Sequence, residues 1–154
     1  MSDESRTPAD ELSTRWAAGW DAIMRFHYVC ATRDEVVLEY EVDAIHCQAY
    51  GIVHGGVHCG AIEATCSAGA AMDAMARGQS VVGVENHTSF IRAVRAGRVE
   101  VRATPITRGR RTQVWEATAR DQAGRVVATG RVRVLCLDPG SELAGETVTA
   151  TPGH

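Results

Sequence analysis

The stretch from Gly55 to about Arg77 constrains this chain more than any other. Ala dominates it, joined by Gly, Ile, Met and Cys, and polar side chains are few. It closes on Arg77-Gly78, a basic last turn followed by a glycine stop. The pattern predicts a single helix about 35 Å long, at 1.5 Å per residue. A helix apolar nearly all round offers water no polar face, so it belongs in an interior. The rest of the chain has to wrap it.

Both flanks supply strands for that purpose. Phe26 to Thr32 reads as a first strand, and Asp34-Glu35 as a turn. Val36, Leu38, Tyr40 and Val42 then alternate with Val37, Glu39, Glu41 and Asp43. Beyond Gly78 the pattern is purely β. Val81 to Arg92 is a long strand, and Arg95-Ala96-Gly97 a turn. Val99, Val101 and Ala103 alternate with Glu100, Arg102 and Thr104. Arg108-Gly109-Arg110 connects tightly to Thr112–Arg120, and Gln122-Ala123-Gly124 leads into Val126–Leu137. Ahead of all this, Leu12, Trp16, Trp20 and Ile23 predict a short amphipathic helix. Packing is the simple account of its tryptophans, and a lid over a ligand pocket the functional one. Residues 1–9 and 138–154, rich in Ser, Thr, Pro, Gly and acids, are expected to be flexible ends of one domain, 10–137. The order implies an α+β fold, an antiparallel β-sheet wrapped around one long central helix.

Composition narrows the function. With 16 basic against 19 acidic residues, the net charge of -3 leaves no footprint for nucleic acid. Basic residues do gather at Arg92, Arg95 and Arg98, and at Arg108, Arg110 and Arg111. Such clusters suit a small polyanion, and the alternative is solvated hairpin edges. No apolar run is long enough to cross a bilayer, and the acidic start MSDESRTPADEL fits neither a signal nor a transit peptide. Five cysteines without CxxC spacing are expected to be reduced thiols in a cytoplasmic protein. His54, His58 and Cys59 stand close in sequence with His46-Cys47 nearby, but neither HExxH nor Cys-pair spacing is present, so no metal is expected.

The chemistry concentrates in QAYGIVHGGVHCGAIEATCS, Gln48 to Ser67. Glu63 has no basic residue within four positions on either side, so no local ion pair accounts for it. Burying an acid among Ala, Gly, Ile and Cys is costly unless something binds it or reacts with it. A structural acid bonded to a loop or to water is the competing reading.

Several further motifs follow in order: Gly51-Ile-Val-His-Gly-Gly56 before Glu63, then Val81-Val-Gly-Val-Glu85, Phe90-Ile-Arg92, Gly97-Arg-Val99, Gly109-Arg110, Val114-Trp115 and Asp121-Gln-Ala-Gly124. Together these resemble the hotdog-fold acyl-CoA thioesterases. The likeness is to the small single-domain group of phenylacetate-pathway, 4-hydroxybenzoyl-CoA and 1,4-dihydroxy-2-naphthoyl-CoA enzymes, and it covers roughly Trp20 to Leu137. The resemblance implies a hydrolase that releases free acid and coenzyme A. In it Gln48 holds the thioester end and the Gly55 N–H polarises the carbonyl beside His54. Glu63 is the catalytic carboxylate, and Ser67 orients water. The Gln48/Glu63 pairing resembles the subgroup taking aromatic acyl groups, while Phe90 replaces a polar residue found in some relatives. No cofactor is implied, since coenzyme A is part of the substrate.

These residue types suit the reaction. A helix start presents unpaired N–H groups and the positive end of the helix dipole, and Gly55 lets a substrate approach closely. Glu63 then either attacks or activates water, and the sequence leaves both open. His54 is also a natural helix-start hydrogen bonder, and Ser67 could bond back to the helix backbone. Gly55 and Glu63 lie eight residues apart, hence about 12 Å along one helix, too far to share a single carbon. Catalysis by both therefore requires two subunits, a homodimer at minimum, with the homotetramer common among relatives also expected. Arg92 and the Gly109-Arg110-Arg111 hairpin are expected to hold the coenzyme A phosphates, with Arg95, Arg98 and Arg108 facing solvent. A silent acyl-CoA-binding dimer and a hotdog hydratase or dehydratase are the competing functions.

Overall fold

The computed structural model describes Ser13 and residues 16–149. A four-residue helix α1, Trp20–Ile23, precedes strands β1, His27–Ala31, and β2, Val36–Glu41. The long helix α2 spans Gly55–Met75. Strands β3 (Ser80–Phe90), β4 (Arg98–Arg108), β5 (Thr112–Asp121) and β6 (Val126–Leu137) follow. A small hairpin of β7, Glu142–Leu143, and β8, Glu146–Thr147, lies within the expected tail, and its strand residues are exposed.

One antiparallel six-stranded sheet runs in the order β1-β2-β4-β5-β6-β3 and curls around α2. This is the wrapped arrangement expected from the buried helix, and the hotdog fold that the resemblance implies. Its core joins Ala61, Ile62, Cys66, Ala68 and Ala70 of α2 to Leu38, Val99, Val101, Trp115, Val127 and Val132 of the sheet. Small residues on α2 let the strands close in, and each large side chain so buried stabilises the fold by about 1.5–3 kcal/mol. The helix stops as its sequence indicates: Gly78 adopts φ 69° and its N–H donates to the Met75 carbonyl at 3.0 Å.

Near that end, buried Asp73 accepts from Arg33 and Arg77 at 3.0 and 2.9 Å, and from Gln113 at 3.2 Å. Gln113 in turn accepts from Trp115 Nε1 at 2.9 Å. This network satisfies the one acid buried in the sheet-facing side of α2.

Two elements differ from expectation. The amphipathic helix over Leu12, Trp16, Trp20 and Ile23 is not continuous: Ala17 and Ala18 are non-helical, and Gly19 at φ 55° starts a fresh turn. Leu12 lies outside the described residues. Strand β4 runs on through Pro105 to Arg108 because a register shift between Pro105 and Thr107 accommodates the missing N–H. Among the described residues no helix is long and apolar enough to cross a membrane.

Candidate active site

The loop before α2 is built around a buried imidazole. His46 Nδ1 accepts from the Asp43 N–H at 2.9 Å, so its proton sits on Nε2, which donates to the Met24 carbonyl at 2.7 Å. The His46 carbonyl accepts from the His54 N–H at 2.8 Å, and Val53 N donates to Val94 O at 2.8 Å. Between these anchors Gln48 to Gly51 makes a turn, with Gly51 at φ 69°. The Gln48 Oε1 accepts from Tyr50 N at 2.9 Å, which leaves its Nε2 as a donor for something else.

At the helix start His54 is the N-cap. Its Nδ1 accepts from Gly56 N at 2.8 Å and its carbonyl accepts from Val57 N at 2.9 Å. The Gly55 N–H donates to no group among the described residues. His54 thus positions the helix end, the role its place in the motif favours. A cavity of about 280 Å³ opens there, lined by Gln48, Ile52, Gly55, His58, Phe90 and Arg92 among others. A Cβ on Gly55 would come within 2.7 Å of the Phe90 ring, so the ring packs directly on the glycine and would have to shift for any larger residue. Burial pushes the His58 imidazole below its ordinary pKa of 6.5, and its Nδ1 is sealed without a partner.

Glu63 does not line this cavity. It sits half-buried farther along α2, facing strand β3 at the free edge of the sheet. Ser67 Oγ donates to its Oε1 at 3.3 Å rather than back to the helix. Asn86 Nδ2 donates to its Oε2 at 3.0 Å and to the Cys59 carbonyl at 3.0 Å. Thr88 Oγ1 donates to Asn86 Oδ1 at 2.6 Å. The carboxylate therefore has a neutral donor on each oxygen. One chain thus presents two separate features, a cavity at the helix start and a braced carboxylate eight residues on.

The residues from 50 to 128 match the family model described as the thioesterase superfamily. The chain belongs to the thioesterase superfamily. A protein of Mycobacterium tuberculosis (strain CDC 1551 / Oshkosh), named provisionally as an esterase, is 46% identical over 93 residues, 59% of this chain and 66% of that relative. The match thus spans just under two thirds of that relative's length. The proofreading thioesterase EntH of Klebsiella pneumoniae is 35% identical over 99 residues, 64% of this chain and 72% of its own. Among solved structures, a protein of M. tuberculosis named provisionally as an esterase superposes with a TM-score of 0.76 at 38% identity. That superposition covers 77% of this chain and 96% of that one. S. sahachiroi AziG gives 0.75 at 35% identity, covering 79% and 98%.

In this member of the thioesterase superfamily the arginines divide. Arg92 lines the cavity with Gln48 and Gly55. The Gly109-Arg110-Arg111 hairpin lies by the other end of α2, where Gln79 Nε2 donates to Arg110 O at 3.1 Å and Cys136 N to Arg111 O at 2.8 Å. A 21-residue helix, about 31 Å long, separates the two within one chain. Arg98 and Arg108 are exposed but paired, with Glu39 at 3.2 Å and Asp34 at 2.6 Å. Arg95 braces the site loop, donating to Tyr50 O at 2.8 Å. Among the described residues no group of three His, Cys, Asp or Glu side chains could hold a metal ion.

The sequence did not reveal Gly83, which leaves room for Glu63, Asn86, which donates to it, Thr88, which orients Asn86, or the anchoring role of His46. A lone glycine inside a strand was the available signal, since such a residue marks a bulge or a close approach. At Gly83 it marks both.

Proposed function

We propose that this protein hydrolyses acyl-CoA thioesters, releasing free acid and coenzyme A, at a site assembled by two copies of the chain. One observation carries the reading: the pocket with the free Gly55 N–H, Gln48 and Arg92 excludes Glu63, which instead faces the open sheet edge. Antiparallel pairing of two β3 edges about a two-fold axis would complete each pocket with a partner carboxylate. The exposed Val84, Phe90 and Ile91 on or beside that edge support such an interface. The same pairing carries the Arg110-Arg111 hairpin of one copy toward the Arg92 end of the other, where both could meet phosphates.

In the proposed reaction Gly55 N–H and Gln48 Nε2 take the developing oxyanion, each such donor contributing about 3 kcal/mol. Glu63 attacks the carbonyl or takes a proton from water that Ser67 helps to hold. Ile52, Phe90 and Ile91 supply an apolar wall that favours an aromatic acyl group. The outer face of the sheet, with Glu100 and Glu116 among Arg102, Arg120 and Arg131, is self-complementary in charge and supports pairing of dimers into a tetramer. Five free thiols fit a cytoplasmic setting.

The test is thiol release from benzoyl-, phenylacetyl-, naphthoyl- and fatty acyl-CoA, compared by kcat/KM, with mass measured in solution. Turnover highest for aromatic esters, lost in Glu63→Gln, in an assembly of two or four chains is the expected result. Full activity in Glu63→Gln, or a monomer that turns over, overturns it.

A further inference from the structure

Strand β3 carries one residue too many. Gly83 pairs with Val134 and Glu85 with Arg133, so Val84 has no partner and forms a bulge. Side chains alternate along a strand, so one extra residue exchanges the two faces beyond it. Val81 packs toward the core and Gly83 faces Glu63. Strict alternation would next send Glu85, His87 and Ser89 inward. Instead Glu85 pairs with Arg133 at 2.6 Å, and His87 and Ser89 line a groove on the outer face with Glu116 and Arg131. Asn86, Thr88 and Phe90 take the inward places, against Glu63, Ile62 and Gly55.

We infer that Asn86 is a positioning residue for the Glu63 carboxylate, oriented by Thr88 and turned inward by the bulge at Val84. This rests on the hydrolase reading of Glu63. A glutamate on a helix has several torsions to lose before its carboxylate points one way, and misplacement by about 1 Å can cost 100-fold in rate. Asn86 removes that freedom in a specific manner. One amide hydrogen goes to the Cys59 carbonyl and the other to Oε2 of Glu63, both at 3.0 Å, so the amide is clamped to two positions one turn apart on α2. The Thr88 hydroxyl, donating to Oδ1, fixes which end of the amide faces the carboxylate. Ser67 holds the other oxygen. Neutral donors leave the acid's charge uncancelled, as an arginine or lysine partner would not.

The experiment compares Asn86→Ala, the isosteric Asn86→Asp and Thr88→Val with the wild-type protein in the thiol-release assay. Asn86→Ala is expected to lower kcat about 10- to 100-fold with KM changed less than about twofold. Asn86→Asp keeps the shape but sets a second carboxylate against Glu63, so its loss is expected to exceed that of the alanine variant. Thr88→Val is expected to fall between wild type and Asn86→Ala. In a Glu63→Gln background, Asn86→Ala is expected to change the residual rate less than about twofold, because the group it serves is gone. A mere tie between helix and strand would lower the melting temperature of all three variants and leave kcat of the folded protein alone. Unchanged kcat in Asn86→Ala and Asn86→Asp while Glu63→Gln is dead overturns the inference and leaves the hydrolase reading standing. Full turnover in Glu63→Gln overturns both.

Discussion

The Glu63 carboxylate occupies the space that a Cβ on Gly83 would need. A helix side chain and a strand backbone thereby meet with nothing between them, at the edge of the sheet where a second copy would dock. Gly83→Ala should push the carboxylate off its two donors, since a glutamate tip moves more easily than a strand. Turnover is expected to fall at least about 10-fold, with the melting temperature changed by only a few degrees. Thiol-release kinetics beside thermal melts check this.

The proposed division of the site between two copies predicts complementation. Gly55→Pro removes the free N–H and displaces the tip of the Phe90 ring, while suiting the first helical position, and His54 already has the extended backbone that precedes proline, φ -64° and ψ 136°. Gly55→Pro and Glu63→Gln should each be inactive alone. Mixed and allowed to exchange subunits, they should recover about a quarter of wild-type activity, because half the dimers are mixed and each carries one intact site. No recovery despite demonstrated exchange would place both groups in one subunit.

His58 predicts an acid-side loss of stability. Burial holds its imidazole below the ordinary 6.5, so the unfolded chain takes up the proton first as pH falls. Its contribution is fully present above about pH 6.5 and is lost as pH drops through that value toward the lower folded one. Melting curves between about pH 7.5 and 5 should therefore fall more steeply for wild type than for His58→Leu. Parallel curves would refute the assignment.

Asp73 separates folding from chemistry. Asp73→Ala leaves Gln113 and two arginines without their shared acceptor, so a loss of about 3 kcal/mol in unfolding free energy is expected. Ten residues past Glu63, it should leave kcat of the folded protein near wild type. Denaturant titration and steady-state kinetics measure the two effects independently.

Much of the architecture was legible because burial imposes periodicity. Val126–Leu137 was readable to its last residue, and the Gly55 start of α2 followed from His-Gly-Gly, since caps and alternating faces are local properties. Glu63 stood out by its isolation among small residues. The brace around it was not legible. Val-Gly-Val-Glu-Asn-His-Thr-Ser-Phe alternates plausibly in either sense, and only pairing with β6 reveals that Val84 is unpartnered. The anchoring of His46 to Met24 joins residues 22 positions apart, which no spacing rule anticipates. The Trp16/Trp20 stripe misled because Gly19 left the helical region at the midpoint of an otherwise helical spacing.

The unpaired Val84 makes the length of this strand as consequential as its letters. Inserting or deleting one residue between Gly83 and Glu85 would reverse parity, presenting Glu85, His87 and Ser89 to the helix and sending the amide, the hydroxyl and the phenyl ring to the outer surface. A change of two residues would restore the original sense. The brace on Glu63 thus depends on an even or odd count as well as on the side chains themselves.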